Sequence, residues 1–132
     1  IYYFHEGNDI TEDFYGPFCL IARAESLFAG LPSKKAIQVL EDAEVWAIST
    51  RELFALYEVH RDIERLFTRM FERAYVQTIQ RIENLQFHSA EERYQLLVQE
   101  QPEVLRRVPL KFIASYLGIT QVSLSRIRAK KI

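Results

Sequence analysis

Cysteine is nearly absent. Cys19 stands alone in 132 residues, so no disulfide closes within one chain. For the same reason, no cysteine-built zinc or iron–sulfur site is expected. A reducing compartment fits this usage, and the expected location is the cytoplasm. Long apolar runs are also lacking. None reaches transmembrane length and no signal peptide is visible, so no membrane partner is expected. Histidine is limited to His5, His60 and His88, far apart in the chain, and no metal is expected. No nucleophile–base pairing, phosphate loop or spaced carboxylate pair stands out. The chain is therefore read as a non-enzyme without a cofactor.

One absence is local. No acid follows Glu103, and the last 29 residues carry a charge of +7. These bases are Arg106, Arg107, Lys111, Arg126, Arg128, Lys130 and Lys131. The first 103 residues hold all eighteen acids and sum to −8. The near-neutral total of −1 hides this division. A basic end on an acidic body points to a polyanionic partner.

At 48% hydrophobic residues, the chain has enough apolar material for a core. Residues 1 to about 50 read as strands and turns. "IYYF" reads as a strand, and Gly7–Asn8 as its turn. "AIQVL" and "EVWAI" read as two further strands split by Glu41–Asp42, and "CLIARAESLF" as a short helix. The chain opens at Ile1 and holds one methionine, Met70. Residues ahead of Ile1 are therefore expected to pair with the first strand.

Ser49 or Thr50 is expected to cap a short helix over "RELFALYEVH". A long helix follows from about Asp62 to Phe87, with no glycine or proline inside. At 1.5 Å per residue it would span roughly 40 Å. Its apolar stripe is wide enough to serve both its own domain and a second copy, which predicts a homodimer. The expected interface is Ile63, Phe67, Met70 and Ala74. Arg61, Arg65, Arg69 and Arg73 recur every fourth residue and read as a solvated face.

"SAEE" has the form of a capping box, predicting a helix from Ser89 to about Glu100. Pro102 ends it and starts a short helical segment through Arg107, and Pro109 suits the start of the next helix. The pattern after Leu110 is the most informative in the chain. Ile113, Leu117, Ile119, Leu124 and Ile127 fall where two short helices pack across a tight turn. Ala114 allows close approach, Gly118 suits a positive φ at the turn, and Thr120 can cap the second helix. This is the pattern of a helix-turn-helix.

Such a second helix enters the major groove of double-stranded DNA. Thr120, Gln121, Val122, Ser125 and Arg126 are expected at base edges. Gln pairs with adenine, Arg with guanine, and Val touches a thymine methyl. Lys111, Ser123, Arg128, Lys130 and Lys131 are expected at phosphates, which set register without reading sequence.

Three segments carry a family resemblance: "GLPSKKAIQVLEDAEVWAIS", "SAEERYQLLVQEQPEVLRRVPLKFIASYLGIT" and "SLSRIRAKK". With the element order, they resemble the Crp/Fnr superfamily of bacterial transcription regulators. The resemblance is strongest from about Glu25 onward. It implies an α+β fold in three parts. A partial, jelly-roll-like β-roll effector domain would occupy 1–57, with its N-terminal part missing. A dimerisation helix would occupy 58–88 and a helix-turn-helix domain 89–132.

The resemblance also implies an effector pocket near Glu25, Ser33, Lys34 and Lys35, and contact with RNA polymerase. Members that bind cyclic nucleotide hold its phosphate with an Arg followed by Ser or Thr. Here Ser33–Lys34 occupies that place, and a lysine offers a point charge rather than a bidentate fork. Cyclic AMP is therefore not expected, and the small-molecule effector is unassigned. Two other classes fit the composition: a protein-interaction module, and a ligand-sensing module without a DNA operator.

Overall fold

The computed structural model describes residues 1–130 and is of mixed α+β type. It divides into two units. One joins the described part of 89–132 to residues 1–42; the other is 43–88. The sequence reading instead divides the chain at 57 and 88. It has no signal for the joining of 1–42 to the C-terminal helices.

In the first unit, β1 (Tyr2–His5) and β2 (Asn8–Thr11) form an antiparallel hairpin, with Tyr2 opposite Thr11 and His5 opposite Asn8. The turn sits at Glu6–Gly7, one residue earlier than expected. Both residues take positive φ, 47° and 82°, as a two-residue turn matched to strand twist requires. β3 (Lys35–Ala36) pairs with Tyr2 and Tyr3 on the other side of β1. The sheet is an open three-stranded one in the order β2-β1-β3.

Two expected strands are absent. "AIQVL" and "EVWAI" form no ladder beyond Ala36. Their apolar side chains are exposed, with Val45 at 74% and Trp46 at 87%. Alternating apolar residues make a strand only where a neighbour accepts their hydrogen bonds, and none of the described residues does. The helix expected over Cys19–Phe28 is confined to α1 (Ala24–Ala29), which ends at Gly30 in the left-handed region.

The core of this unit lies in its C-terminal helices. These are α4 (Ala90–Glu100), α5 (Pro102–Arg107), α6 (Leu110–Tyr116) and α7 (Gln121–Ala129). Ile113, Leu117 and Leu124 are fully buried, joined by Tyr94, Leu97 and Ala114. Each such aliphatic side chain contributes about 1.5–3 kcal/mol over its exposed state. Ser89 begins α4 with a reciprocal capping box: its hydroxyl accepts from the Glu92 amide, and the Glu92 carboxylate accepts from the Ser89 amide. Pro109 stands one place earlier than expected, at the N-cap of α6.

The second unit is a helical pair. Ser49 caps α2 (Thr50–Val59) with another reciprocal box to Glu52. An extended His60 separates it from α3 (Arg61–Phe87), 27 residues long. Leu53 is buried, and ring contacts run from Phe54 through Tyr57 and Phe67 to Phe71 at centroid distances of 5.6, 5.8 and 6.4 Å. No residue of α3 is buried. Tyr75, Val76, Ile79, Ile82 and Leu85 leave its second half apolar and exposed. The four-spaced arginines 61, 65, 69 and 73 are exposed. No helix among the described residues is long and apolar enough to cross a membrane.

The capping boxes give a direct test. Replacing Ser89 with Ala removes one of the two reciprocal bonds and exposes a helix-end amide. Urea denaturation is expected to show a loss of about 1 kcal/mol. An unchanged midpoint would mean that the Ser89–Glu92 box contributes nothing to α4.

Candidate nucleic-acid interface

The site is built around one turn. Gly118 takes φ 68°, which an L side chain adopts only at a cost. The Ile119 amide donates to the Ala114 carbonyl and the Gly118 amide to the Ser115 carbonyl, both at 3.0 Å. This paired closure ends α6 in a Schellman arrangement and consumes carbonyls that the helix end would leave open. Arg93, on α4, reaches across and donates to the Leu117 carbonyl at 2.8 Å. The turn is thus fixed from both directions.

Thr120 then caps α7. Its hydroxyl accepts from the Ser123 amide at 3.1 Å and lies 3.0 Å from the Ser123 hydroxyl. Leu124 is fully buried and Ile127 half-buried beneath it. With the inner face so assigned, the 3.6-residue period turns Gln121, Val122, Ser125 and Arg126 outward together, and all four are exposed. Of the five residues expected at base edges, these four share one free face. Thr120 is also exposed, but its hydroxyl is used by the cap.

The residues expected at phosphates are less uniform. Lys111 and Arg128 are exposed, and the Lys111 ammonium lies 4.6 Å from the Phe112 ring centroid. Ser123 is half-buried, with its hydroxyl beside that of Thr120. Lys130 meets Glu91 at 3.1 Å. Lys131 lies outside the described residues.

The expected effector residues do not converge on a free cation. Lys35 meets Glu12 at 2.6 Å, and Arg23 lies 3.4 Å from Glu12 and 3.7 Å from Glu25. The Glu25 carboxyl is held below the usual carboxylate range, first by its own backbone amide and then by these cations. Ser33 accepts from the Lys35 amide, and Lys34 is exposed. The positive charge at Lys35 is therefore matched by an acid within the chain. At the expected dimer interface, Ile63, Phe67 and Met70 are half-buried and Ala74 is exposed. Phe67 is engaged with Tyr57 of its own chain.

Several residues at this site carry no sequence signal. Ser115 bonds to β2 across a separation of more than 100 residues. Arg107 makes a bidentate contact with Glu41, which holds the Glu41 carboxyl below its ordinary range. A basic residue looks alike in sequence whether solvated or paired with an acid 66 positions away. Only Arg93 had a faint cue, since it lies one turn inside the legible capping box.

Elsewhere, an open groove of about 380 Å³ is lined by Phe54, Tyr57, Glu58, Arg61 and Glu64 in the second unit. No group of three metal-binding side chains gathers among the described residues. Compared with known proteins, the chain matches no family model, no curated protein and no solved structure.

Proposed function

We propose that the chain is a homodimeric, sequence-specific DNA-binding transcription regulator of the Crp/Fnr type. In this reading α6 and α7 are a helix-turn-helix. β1, β2, β3 and α1 belong to a partial β-roll whose nucleotide site is degenerate. The protein acts in the cytoplasm on double-stranded DNA, with RNA polymerase as a further partner. The observation that carries the reading is the partition of α7. Leu124 is fully buried, while Gln121, Val122, Ser125 and Arg126 are exposed on one face. That face belongs to a 29-residue stretch with no acid.

The chemistry follows from the side chains. Gln121 and Arg126 carry the forked donors that match adenine and guanine edges, and Val122 offers a methyl surface to thymine. Arg128 and Lys111 supply charge to phosphates on either side. Lys130 exchanges its Glu91 partner for a phosphate. That exchange suits an exposed pair, because such pairs are held weakly.

A protein-interaction reading is favoured by one observation, the exposed apolar side chains from Ile37 to Ile48, with Trp46 at 87%. Salt separates the two. DNA binding by the basic end weakens steeply as salt rises, whereas apolar docking does not.

Two measurements test the proposal. Arg126→Ala is expected to cost about 1–3 kcal/mol on a cognate site and to relax choice at one base pair per half-site. Lys130→Ala is expected to weaken all sequences alike and to lower the salt slope by about one ion. Titration against single-base variants at two salt concentrations reads both. Equal losses on every variant for Arg126→Ala would remove its base-reading role.

The dimer is tested on α3. Ala74 is exposed in the isolated chain, so Ala74→Glu costs little there. Against a second copy it buries a charge, which is expensive. Sedimentation is expected to show a dimer for the parent and a monomer for Ala74→Glu. A dimer in both places the interface away from Ala74.

A further inference from the structure

The β1–β2 hairpin is tied to α6 through the Ser115 hydroxyl. Ser115 Oγ accepts from the Thr11 amide at 2.8 Å and donates to the Asp9 carbonyl at 3.0 Å. Thr11 and Asp9 are two residues apart on β2, which is an edge strand of the sheet. Backbone groups two apart point the same way, so Ser115 closes the edge that β1 does not cover. Beside it, Phe14 packs on Tyr116 at a centroid distance of 5.1 Å. Thr11 is 5% exposed as a result.

Ser115 lies four residues after Lys111, so the two share a face of α6. The strand seated on that face carries no lysine or arginine. It carries one acid, Asp9; Glu12, just beyond the strand, is compensated by Arg23 and Lys35. Asp9 is exposed, and its own carbonyl is the one that Ser115 holds. The bond therefore holds Asp9, through its backbone carbonyl, beside Ser115 on the face of α6 that also carries Lys111.

We propose that the hairpin is an autoinhibitory latch, in which Ser115 holds the acidic β2 edge on the Lys111 face of α6 and DNA binds best when it is released. This rests on the DNA-binding reading above. The latch is suited to reversible use. The Ser115 bonds are neutral hydrogen bonds at the edge of β2, and water can replace both. The inhibition is electrostatic: Asp9 repels phosphate, and that repulsion weakens with salt.

The test uses the full chain and a short random-sequence duplex at low and high salt. Hydrogen exchange at the Thr11 amide reports the latch itself. Ser115→Ala is expected to speed that exchange and to tighten DNA binding by about three- to tenfold, because the competent fraction rises. Asp9→Asn keeps both Ser115 bonds and folds without them being disturbed. It is expected to tighten binding by a smaller factor, about twofold, at low salt only. Faster exchange in Ser115→Ala with unchanged or weaker binding overturns the latch, as does unchanged low-salt binding in Asp9→Asn. Failure of every protein, the parent included, to bind the duplex at low salt overturns the DNA-binding reading instead.

Discussion

The packing of Leu124 against Ile113 and Leu117 is the contact on which the C-terminal half depends. All three are fully buried: Ile113 within α6, Leu117 at its C-cap and Leu124 within α7, on either side of a turn of a few residues. Two short helices cannot stay formed in water by propensity alone; burial of one face holds them. The turn must reverse the chain within that distance, and the positive φ at Gly118 permits it. Once Leu124 is inside, the helical period leaves no freedom over what points out. The exposed face of Gln121, Val122, Ser125 and Arg126 is a geometric consequence of a hydrophobic one.

Polar contacts then refine this core rather than create it. Arg93 ties α4 to the carbonyl end of α6, and Thr120 supplies the first amide partner of α7. The ion pairs on the same unit have a different character. Arg107 with Glu41 and Lys130 with Glu91 are largely exposed. Such pairs contribute little to folding, but they set which cations are available to a partner. The acidic body described by composition is in part already spent on the basic end. The effective charge presented to a polyanion is thus smaller than +7, and it rises wherever an acid is displaced.

What was legible in the sequence was local. The capping box at Ser89 needs only four consecutive residues and is present; of Ser49 and Thr50, the two residues expected to cap α2, it is Ser49 that does so. The limits of α3 and the turn at Gly118 are likewise encoded within a helix length. The strands over 37–49 were misread because a strand is not a local object. "AIQVL" and "EVWAI" have strand composition, but a ladder needs a partner backbone, and β1 pairs only with Lys35–Ala36 there. The edge-to-helix bond from Thr11 to Ser115 was invisible for the same reason. A serine in the middle of an apolar helix has many possible uses, and no spacing rule connects it to a backbone amide 104 residues earlier. At the candidate interface, the outward face of α7 was legible from periodicity. The pairing of Lys130 and the tying of Ser123 to Thr120 were not.

The central claim is that the exposed face of α7 reads base sequence as one half of a symmetric pair. Selection of bound fragments from a random DNA pool tests it most directly, because both parts of the claim appear in one result. The expected outcome is an enriched motif made of two inverted half-sites, their centres separated by about one helical turn, 10–10.5 base pairs, or a multiple of it. A pool that stays random after repeated rounds, while the chain still retains DNA at low salt, would contradict base reading. It would leave only the phosphate contacts of a basic surface.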